Sequence, residues 1–215
     1  MTLLIEQTIT FVKQTLKDAE AGHDWFHVAR VWKNAQHILK TEKADTLVVE
    51  LAALLHDIAD SKFHNGDEEI GPTLADQFLH SLAVPEHVVI HVVAIIRNMS
   101  YKASLGTVNF SSKEMEIVQD ADRLDAMGAI GIARAFHYGG FKNRPLYDPQ
   151  IRPNPNQDKA TYKNSTSPTI NHFYEKLLLL KDKMNTDTGR KMAINRHEFM
   201  EQFLANFFAE WEGEQ

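Results

Sequence analysis

A histidine and an aspartate, His56 and Asp57, stand together at the end of an almost entirely apolar stretch, LVVELAALLHDIAD. Leucine, valine and isoleucine recur there at helical spacing, which is typical of a core-facing helix, and Glu50 is its only charge before the pair. An imidazole and a carboxylate at the end of a buried helix need partners, because unpaired burial of either group is costly. The pair therefore either meets water or core partners, as an ordinary helix end does, or binds a metal ion.

Other stretches could supply further groups to such a site. GHDWFHVARV places His27 three residues before Arg30, so both side chains can share one helix face. QDADRLDA places Asp122 among apolar residues, where an acid is costly unless it is paired or binds a metal. Asp60 follows His56 by four residues, and on a continuing helix its carboxylate could orient or deprotonate a water activated by a metal.

The composition excludes several classes of function. The chain has no cysteine, which excludes disulfides, thiolate zinc sites and cysteine nucleophiles. Its formal net charge of −6 argues against a DNA or RNA polymer as partner, but not against a small nucleotide in a local basic pocket. The N-terminal residues carry Glu6 and no uninterrupted apolar run, so we expect neither a signal peptide nor a membrane span. We therefore expect a cytoplasmic protein, either monomer or homodimer.

Helical periodicity predicts an all-α fold of roughly eight helices in one domain, residues 1–215. Ser111 or Ser112 is expected to cap one long helix that ends at Gly139-Gly140. The aromatic side chains of the last helix are interpreted as core packing. The predicted helices cover residues 2–20, 24–41, 47–60, 73–82, 85–98, 113–138, 170–184 and 187–211.

Residues 139–169 differ in composition from the rest of the chain. They hold five of the seven prolines and five basic residues against two acids, a local charge of +3 in an acidic protein. Irregular loops of this length are either functional or plain surface segments. The sequence leaves open whether this loop covers a site or lies on the surface.

The order of these motifs resembles the HD-domain superfamily of metal-dependent phosphohydrolases, and in particular a bacterial subgroup of stand-alone hydrolases. The local sequences around these residues are similar to those of the family as well, namely HDWFHVARV, LLHDIADSKF, IIRNMSY, DADRLDAMGAIGIARAF and HFYEKLLLL. The likeness covers roughly residues 20–210. It implies an all-helical HD core over about 20–137, with the C-terminal helices of 170–211 packed on the same core.

The resemblance also implies a site and a reaction. His27, His56, Asp57 and Asp122 would bind one divalent metal, and a water activated by that metal would hydrolyse a phosphate ester or anhydride. Such a nitrogen and oxygen donor set suits Mn²⁺, which we favour, and also Mg²⁺, Fe²⁺, Co²⁺ or Zn²⁺. Many members have Glu four residues after the ligand histidine, whereas this chain has the shorter Asp60.

Basic side chains should hold the phosphates of the substrate. Lys62, just after the His-Asp turn, is the first candidate and is grouped with Asp60 as a catalytic residue. Each further candidate has an ordinary alternative as a solvated or salt-bridged side chain. These further substrate-binding candidates are Arg30, His64, Arg97, Arg134, His172 and Lys176.

The predicted function is hydrolysis of a nucleotide or a similar small phosphorylated metabolite. Release of pyrophosphate from a nucleoside triphosphate, release of phosphate from a monophosphate, and phosphodiester cleavage all remain open. A non-catalytic protein that binds metal and nucleotide is an alternative of a different class. A di-metal oxygenase is a third, since His87 and His91 repeat the i, i+4 spacing and could add ligands.

Overall fold

The computed structural model describes residues 2–19, 24–59, 67–99, 110–155 and 166–214. Within these residues all regular structure is helical, which confirms the predicted all-α class, and it comprises nine α-helices and one 3-10 helix. In chain order the elements are α1 (Leu3–Thr15), α2 (Trp25–Ile38), α3 (Thr46–Leu55), α4 (Ile70–Ser81), α5 (Glu86–Asn98), α6 (Lys113–Asp125), α7 (Gly128–Phe141), α8 (Thr169–Glu175), the 3-10 helix (Leu177–Lys183) and α9 (Asp187–Trp211).

Side-chain caps fix the starts of the helices that carry the candidate ligands. Asp24 accepts from the backbone N–H of His27 at 2.9 Å, which starts α2. Asp45 accepts from the backbone N–H groups of residues 47 and 48 at the start of α3. Ser112 accepts from the N–H of residue 115 at 3.1 Å, which confirms one of the two predicted caps of α6. Each cap satisfies an N–H that the helix cannot pair internally.

The chain divides into two compact units, Met1–Asp122 and Arg123–Gln215. In the first unit, α3 packs against α1, α2 and α5, while α4 packs against α5. Seven of the ten α3 residues are buried, as its apolar composition predicts. The single charge of α3, Glu50, accepts hydrogen bonds from Trp32 Nε1 at 3.1 Å and Gln36 Nε2 at 2.8 Å. A single domain over residues 1–215 stays a prediction.

In the second unit, α9 packs against α7 and the 3-10 helix, and α8 packs against the 3-10 helix and α7. Phe203 of α9 stacks on Phe173 of α8 with ring centroids 5.7 Å apart. The aromatic side chains of α9 are therefore partly core, as interpreted from the sequence. Phe199 and Trp211, however, are 54% and 46% exposed.

The prediction of one long helix over residues 113–138 is wrong, because the chain forms two helices there, α6 and α7. Residues 126 and 127 form tight turns back to 123 and 124. Gly128 then takes a left-handed φ of 68°, which glycine adopts without steric cost. The Gly139-Gly140 pair, predicted to end the helix, lies inside α7, which continues to Phe141.

Two other predicted helices are also shorter than expected. The apolar helix predicted to reach residue 60 ends at Leu55, and residues 56–59 are turn and bend. The helix predicted over 170–184 is divided at Lys176, whose backbone angles of −145° and −57° are not helical. The chain continues from there as the 3-10 helix.

The first half of the proline-rich segment is irregular but anchored to α8. Residues 142–155 contain no helix. The backbone N–H of Thr169 donates to the carbonyl of Pro145 at 2.9 Å, and buried Glu175 accepts from the N–H of Asn154 at 3.1 Å. Residues 156–165 lie outside the described residues, so the choice between a covering loop and a surface segment stays open. No helix in the described part of the chain is long and apolar enough to cross a membrane.

We predict opposite effects for the same substitution at two glycines of α7. A Cβ added at Gly131 would lie 2.3 Å from the carbonyl oxygen of Ala126, so Gly131→Ala should lower the free energy of unfolding by about 1–3 kcal/mol. At Gly140, exposed in the same helix, no heavy atom of the described residues lies within 4 Å of the added Cβ. Gly140→Ala should therefore raise the free energy of unfolding by up to about 1 kcal/mol. Urea unfolding followed by circular dichroism measures both, and equal effects would contradict the close approach at Gly131.

Candidate metal centre

His56 lies at the point where α3 ends, and its side chain bonds back to that helix. His56 Nδ1 lies 2.9 Å from the carbonyl oxygen of Ala53. A carbonyl only accepts, so Nδ1 carries the proton, and in the neutral imidazole the lone pair is on Nε2. This hydrogen bond orients the ring and with it the candidate ligand atom His56 Nε2.

His27 and Asp122 are brought to the same place by α2 and α6. His27 is 2% exposed and stands in the first turn of α2, immediately after the Asp24 cap. Asn34, two helical turns further along α2, donates from Nδ2 to the carbonyl of Ala121 at 3.1 Å. This bond holds α2 against α6 beside Asp122, so two helices far apart in sequence present adjacent side chains.

The four side chains meet at distances that suit one ion. His27 Nε2 lies 3.7 Å from Asp57 Oδ2 and 3.5 Å from Asp122 Oδ1, and His56 Nε2 lies 3.9 Å from the same Asp122 oxygen. Ligand atoms of His27, His56 and Asp57 all lie within 4.8 Å of one another. Donors about 2.0–2.2 Å from a common ion are separated by roughly 3–4.4 Å. The arrangement can therefore hold a metal ion with little movement.

Two atoms of the cluster are buried without a hydrogen-bond partner among the described residues, namely His56 Nε2 and Asp57 Oδ2. A buried polar atom without a partner costs free energy, and a buried carboxylate oxygen costs more. A cation between the two would satisfy both. The donor set of imidazole nitrogens and carboxylate oxygens also fits a divalent cation. Asp122 is 36% exposed, so the cluster is open to solvent on that side.

Three candidates near this cluster lie outside the described residues. They are the predicted catalytic pair Asp60 and Lys62, together with His64. Their roles stay predictions from the sequence.

Two of the candidate substrate cations already have carboxylate partners. Arg97 donates from Nη2 to Glu69 Oε2 at 2.8 Å and from Nε to both oxygens, and this hydrogen bonding raises the pKa of Arg97. Arg134 donates from Nη1 to Oδ2 of buried Asp125 at 2.9 Å. To bind substrate, either arginine would have to give up its hydrogen bonds to Glu69 or Asp125 and form new ones to a phosphate.

The remaining substrate-binding candidates are divided between the two units. Arg30 lies half-buried on α2, one turn after His27 and so on the helix that carries a candidate ligand. His172 and Lys176 belong to the second unit, at α8 and its C-cap. Asn34, which holds α2 against α6, was missed, because no local spacing links it to residue 121.

The histidines proposed as a second metal site have other surroundings. His87 is exposed on α5. His91 Nε2 lies 2.9 Å from Ser112 Oγ and 3.5 Å from Glu114 Oε2 at the start of α6. Among the described residues, the group able to hold a metal is that of His27, so the di-metal alternative gains no support there.

Comparison with known proteins gives matches over nearly the whole chain. The family model described as HD domain matches residues 25–127. The Bacillus subtilis protein YpgQ is 41% identical over 201 residues, which cover 93% of this chain and 89% of YpgQ. All four residues of the cluster lie inside the matched HD-domain range.

Solved structures are similar as well. The crystal structure of an HD-superfamily hydrolase from Bacillus thuringiensis is 46% identical with a TM-score of 0.75, covering 97% of this chain and 96% of that chain. The crystal structure of Bacillus subtilis YpgQ in complex with ADP is 37% identical with a TM-score of 0.76, covering 96% and 94%.

We predict that Asp57→Asn separates metal binding from folding. The substitution removes a buried charge from the metal-free protein, so the Tm in EDTA should stay the same or rise. The stabilisation that Mn²⁺ gives the wild type should be largely lost, because the anionic ligand is gone. Metal analysis and thermal unfolding with and without Mn²⁺ measure both effects.

Asp182→Asn is the matched control, since Asp182 is an exposed carboxylate of the 3-10 helix. It should keep the wild-type metal content and Tm gain. Full metal stoichiometry in Asp57→Asn, with the wild-type Tm gain, would show that Asp57 is not a ligand.

Proposed function

Because the chain belongs to the HD-domain superfamily, we propose that it is a metal-dependent phosphohydrolase that acts on a nucleotide. The observation that carries the proposal is the cluster of His27, His56, Asp57 and Asp122, with two buried ligand atoms that have no hydrogen-bond partner among the described residues. Burying polar atoms of this kind without a hydrogen-bond partner disfavours folding, and such atoms are typical of a site that a ligand completes.

A divalent ion bound in this cluster would supply positive charge against the phosphoryl oxygens and activate water for attack. The chain prepares the site before any ion binds. The bond from His56 Nδ1 to the Ala53 carbonyl selects the tautomer in which the neutral ring has its lone pair on Nε2, and it orients that atom. The carboxylates of Asp57 and Asp122 supply the anionic ligands that hold a hard divalent ion. The exposed side of Asp122 leaves room for a phosphate.

Two further roles are proposed from the sequence alone. Asp60 would accept the proton of the attacking water, as the longer Glu does at the same spacing in many members. Lys62 would hold a phosphoryl oxygen and offset its charge in the transition state. Mn²⁺ is the proposed ion, because the mixed imidazole and carboxylate set suits it well.

A nucleotide is the proposed substrate class because a relative has been crystallised with one. YpgQ, 37% identical to this chain in the aligned structure, was solved in complex with ADP. ADP carries the nucleoside and two of the three phosphates of a triphosphate, so it fits an analogue of a triphosphate substrate, whereas release of pyrophosphate would leave a monophosphate as product. We propose a nucleoside triphosphate as substrate, with pyrophosphate released. Monophosphate and phosphodiester hydrolysis are the alternatives that the test must separate.

The test is a hydrolysis screen of nucleoside tri-, di- and monophosphates and cyclic phosphodiesters with Mn²⁺, in which released phosphate and pyrophosphate are measured separately. We expect Mn²⁺-dependent release of pyrophosphate, lost on removal of the metal. His56→Ala should abolish turnover, whereas His80→Ala, at an exposed histidine of α4, should leave it unchanged. Binding of nucleotides without hydrolysis under several divalent metals would contradict an enzyme and favour the non-catalytic alternative.

We predict that Asp60→Asn lowers kcat by about 10²-fold or more while the metal content stays at the wild-type level, because the substitution removes a general base and no ligand. Single-turnover kinetics and metal analysis of the same preparation measure the two quantities. Asp60→Glu should restore part of the rate, since Glu is the residue that many members carry there. Unchanged kcat in Asp60→Asn would remove this residue from the mechanism.

A further inference from the structure

Three basic side chains of the second unit are brought together by the fold rather than by the sequence. The backbone N–H of Thr169 donates to the carbonyl of Pro145 at 2.9 Å, and that of Ile170 to the carbonyl of Leu146 at 3.0 Å. This pairing lays the segment that begins with Arg144 along the first turn of α8. His172 follows within that helix, and Lys176 stands at its C-cap.

Arg144 is held in place at its backbone and at its side chain. Its N–H donates to the carbonyl of Gly139 at 2.8 Å, at the end of α7. Its guanidinium lies 5.7 Å from the centre of the Tyr138 ring, a distance typical of a cation–π contact. Lys142 lies 5.7 Å from the same ring, which adds a further positive charge to this surface.

His172 stands one helical turn before Lys176 and in the helix along which the Arg144 segment runs. Burial, followed by the charges of Lys176 and Arg144, lowers the pKa of His172 to about 3. At neutral pH it is uncharged and offers one N–H donor.

In a chain of net charge −6, two fixed cations beside a desolvated imidazole make a local site of the opposite sign. Guanidinium, ammonium and imidazole N–H groups together match the oxygens of a phosphate chain, since charge-assisted hydrogen bonds to phosphate are the strong ones.

We propose that Arg144, His172 and Lys176 form an anion-binding site for the phosphate chain of a di- or triphosphate, and that this site binds without a metal ion. His172 and Lys176 are substrate-binding candidates from the sequence, and Arg144 is the residue that the structure adds to them. The inference rests on the proposed function only in taking a nucleotide as the natural source of the phosphate chain.

The test is calorimetric titration of the whole protein, freed of metal with EDTA, with inorganic tripolyphosphate as the probe. Arg144→Gln and Lys176→Gln should each weaken binding about tenfold or more, because each removes a charge-assisted hydrogen bond. Arg152→Gln and Lys191→Gln are matched controls, since they remove the same charge at exposed positions. Both controls should bind tripolyphosphate within about twofold of the wild type, as expected for screened surface charges.

His172 is tested by two substitutions that differ in hydrogen-bonding capacity. His172→Gln keeps an N–H donor and should retain more binding than His172→Phe, with the Tm of both variants showing that they fold. If the two site variants and the two control variants lose the same affinity for tripolyphosphate, the loss follows from net charge alone and the proposal is overturned. Absence of tripolyphosphate binding by the wild type would overturn it as well.

A second titration, with ADP, identifies the source of the phosphate chain. A loss of ADP affinity in Arg144→Gln that equals the loss for tripolyphosphate supports a nucleotide, and unchanged ADP affinity supports a free polyphosphate anion. The hydrolysis screen decides separately on the proposed function. If the wild type binds tripolyphosphate but hydrolyses no nucleotide, the proposed enzymatic function is refuted and the anion-binding site is supported. If it hydrolyses a nucleotide but does not bind tripolyphosphate, the function is supported and the anion-binding site is refuted.

Discussion

The hydrogen bond from His56 Nδ1 to the carbonyl of Ala53 is the interaction on which the candidate centre depends. It fixes the tautomer, which leaves a lone pair on Nε2 of the neutral imidazole. It also orients the ring at the point where α3 ends, with Asp57 as the next residue. A residue unable to donate at this position would leave the candidate ligand atom unoriented.

The burial of α3 gives this small arrangement its rigidity. Its residues pack against three other helices of the first unit, and its single charge is satisfied by Trp32 and Gln36. A platform of this kind holds His56 Nε2 and Asp57 Oδ2 out of water, where neither has a hydrogen-bond partner among the described residues. A cation bound between these two atoms would recover the free energy that their burial costs. The packing of α3 would in this way contribute to the affinity of the candidate centre for a metal.

The sequence predicts most of the helices and names as ligand candidates four side chains that the fold brings together, because both depend on local spacing and on motif order. Asp24 and Asp45 cap helices as their residue types indicate. The failures lie where the chain leaves the helix without a break in the apolar spacing. The break before Gly128 requires a left-handed φ that the apolar pattern does not reveal. The early end of α3 at Leu55 lies inside a stretch whose apolar residues continue at helical spacing, so periodicity does not mark it.

The role of the candidate phosphate-binding side chains also depends on tertiary contacts that the sequence does not reveal. Arg97 and Arg134 are indistinguishable in sequence from phosphate-binding arginines, yet Glu69 and Asp125 bind them in the folded chain. Arg144 lies in a segment whose positive charge is visible in the sequence, but only the pairing of that segment with α8 brings it near His172. Charge alone therefore does not identify a phosphate site. In the proposed anion site the fold adds what the sequence lacks, because it sets the charges of Arg144 and Lys176 close enough to His172 to act on it.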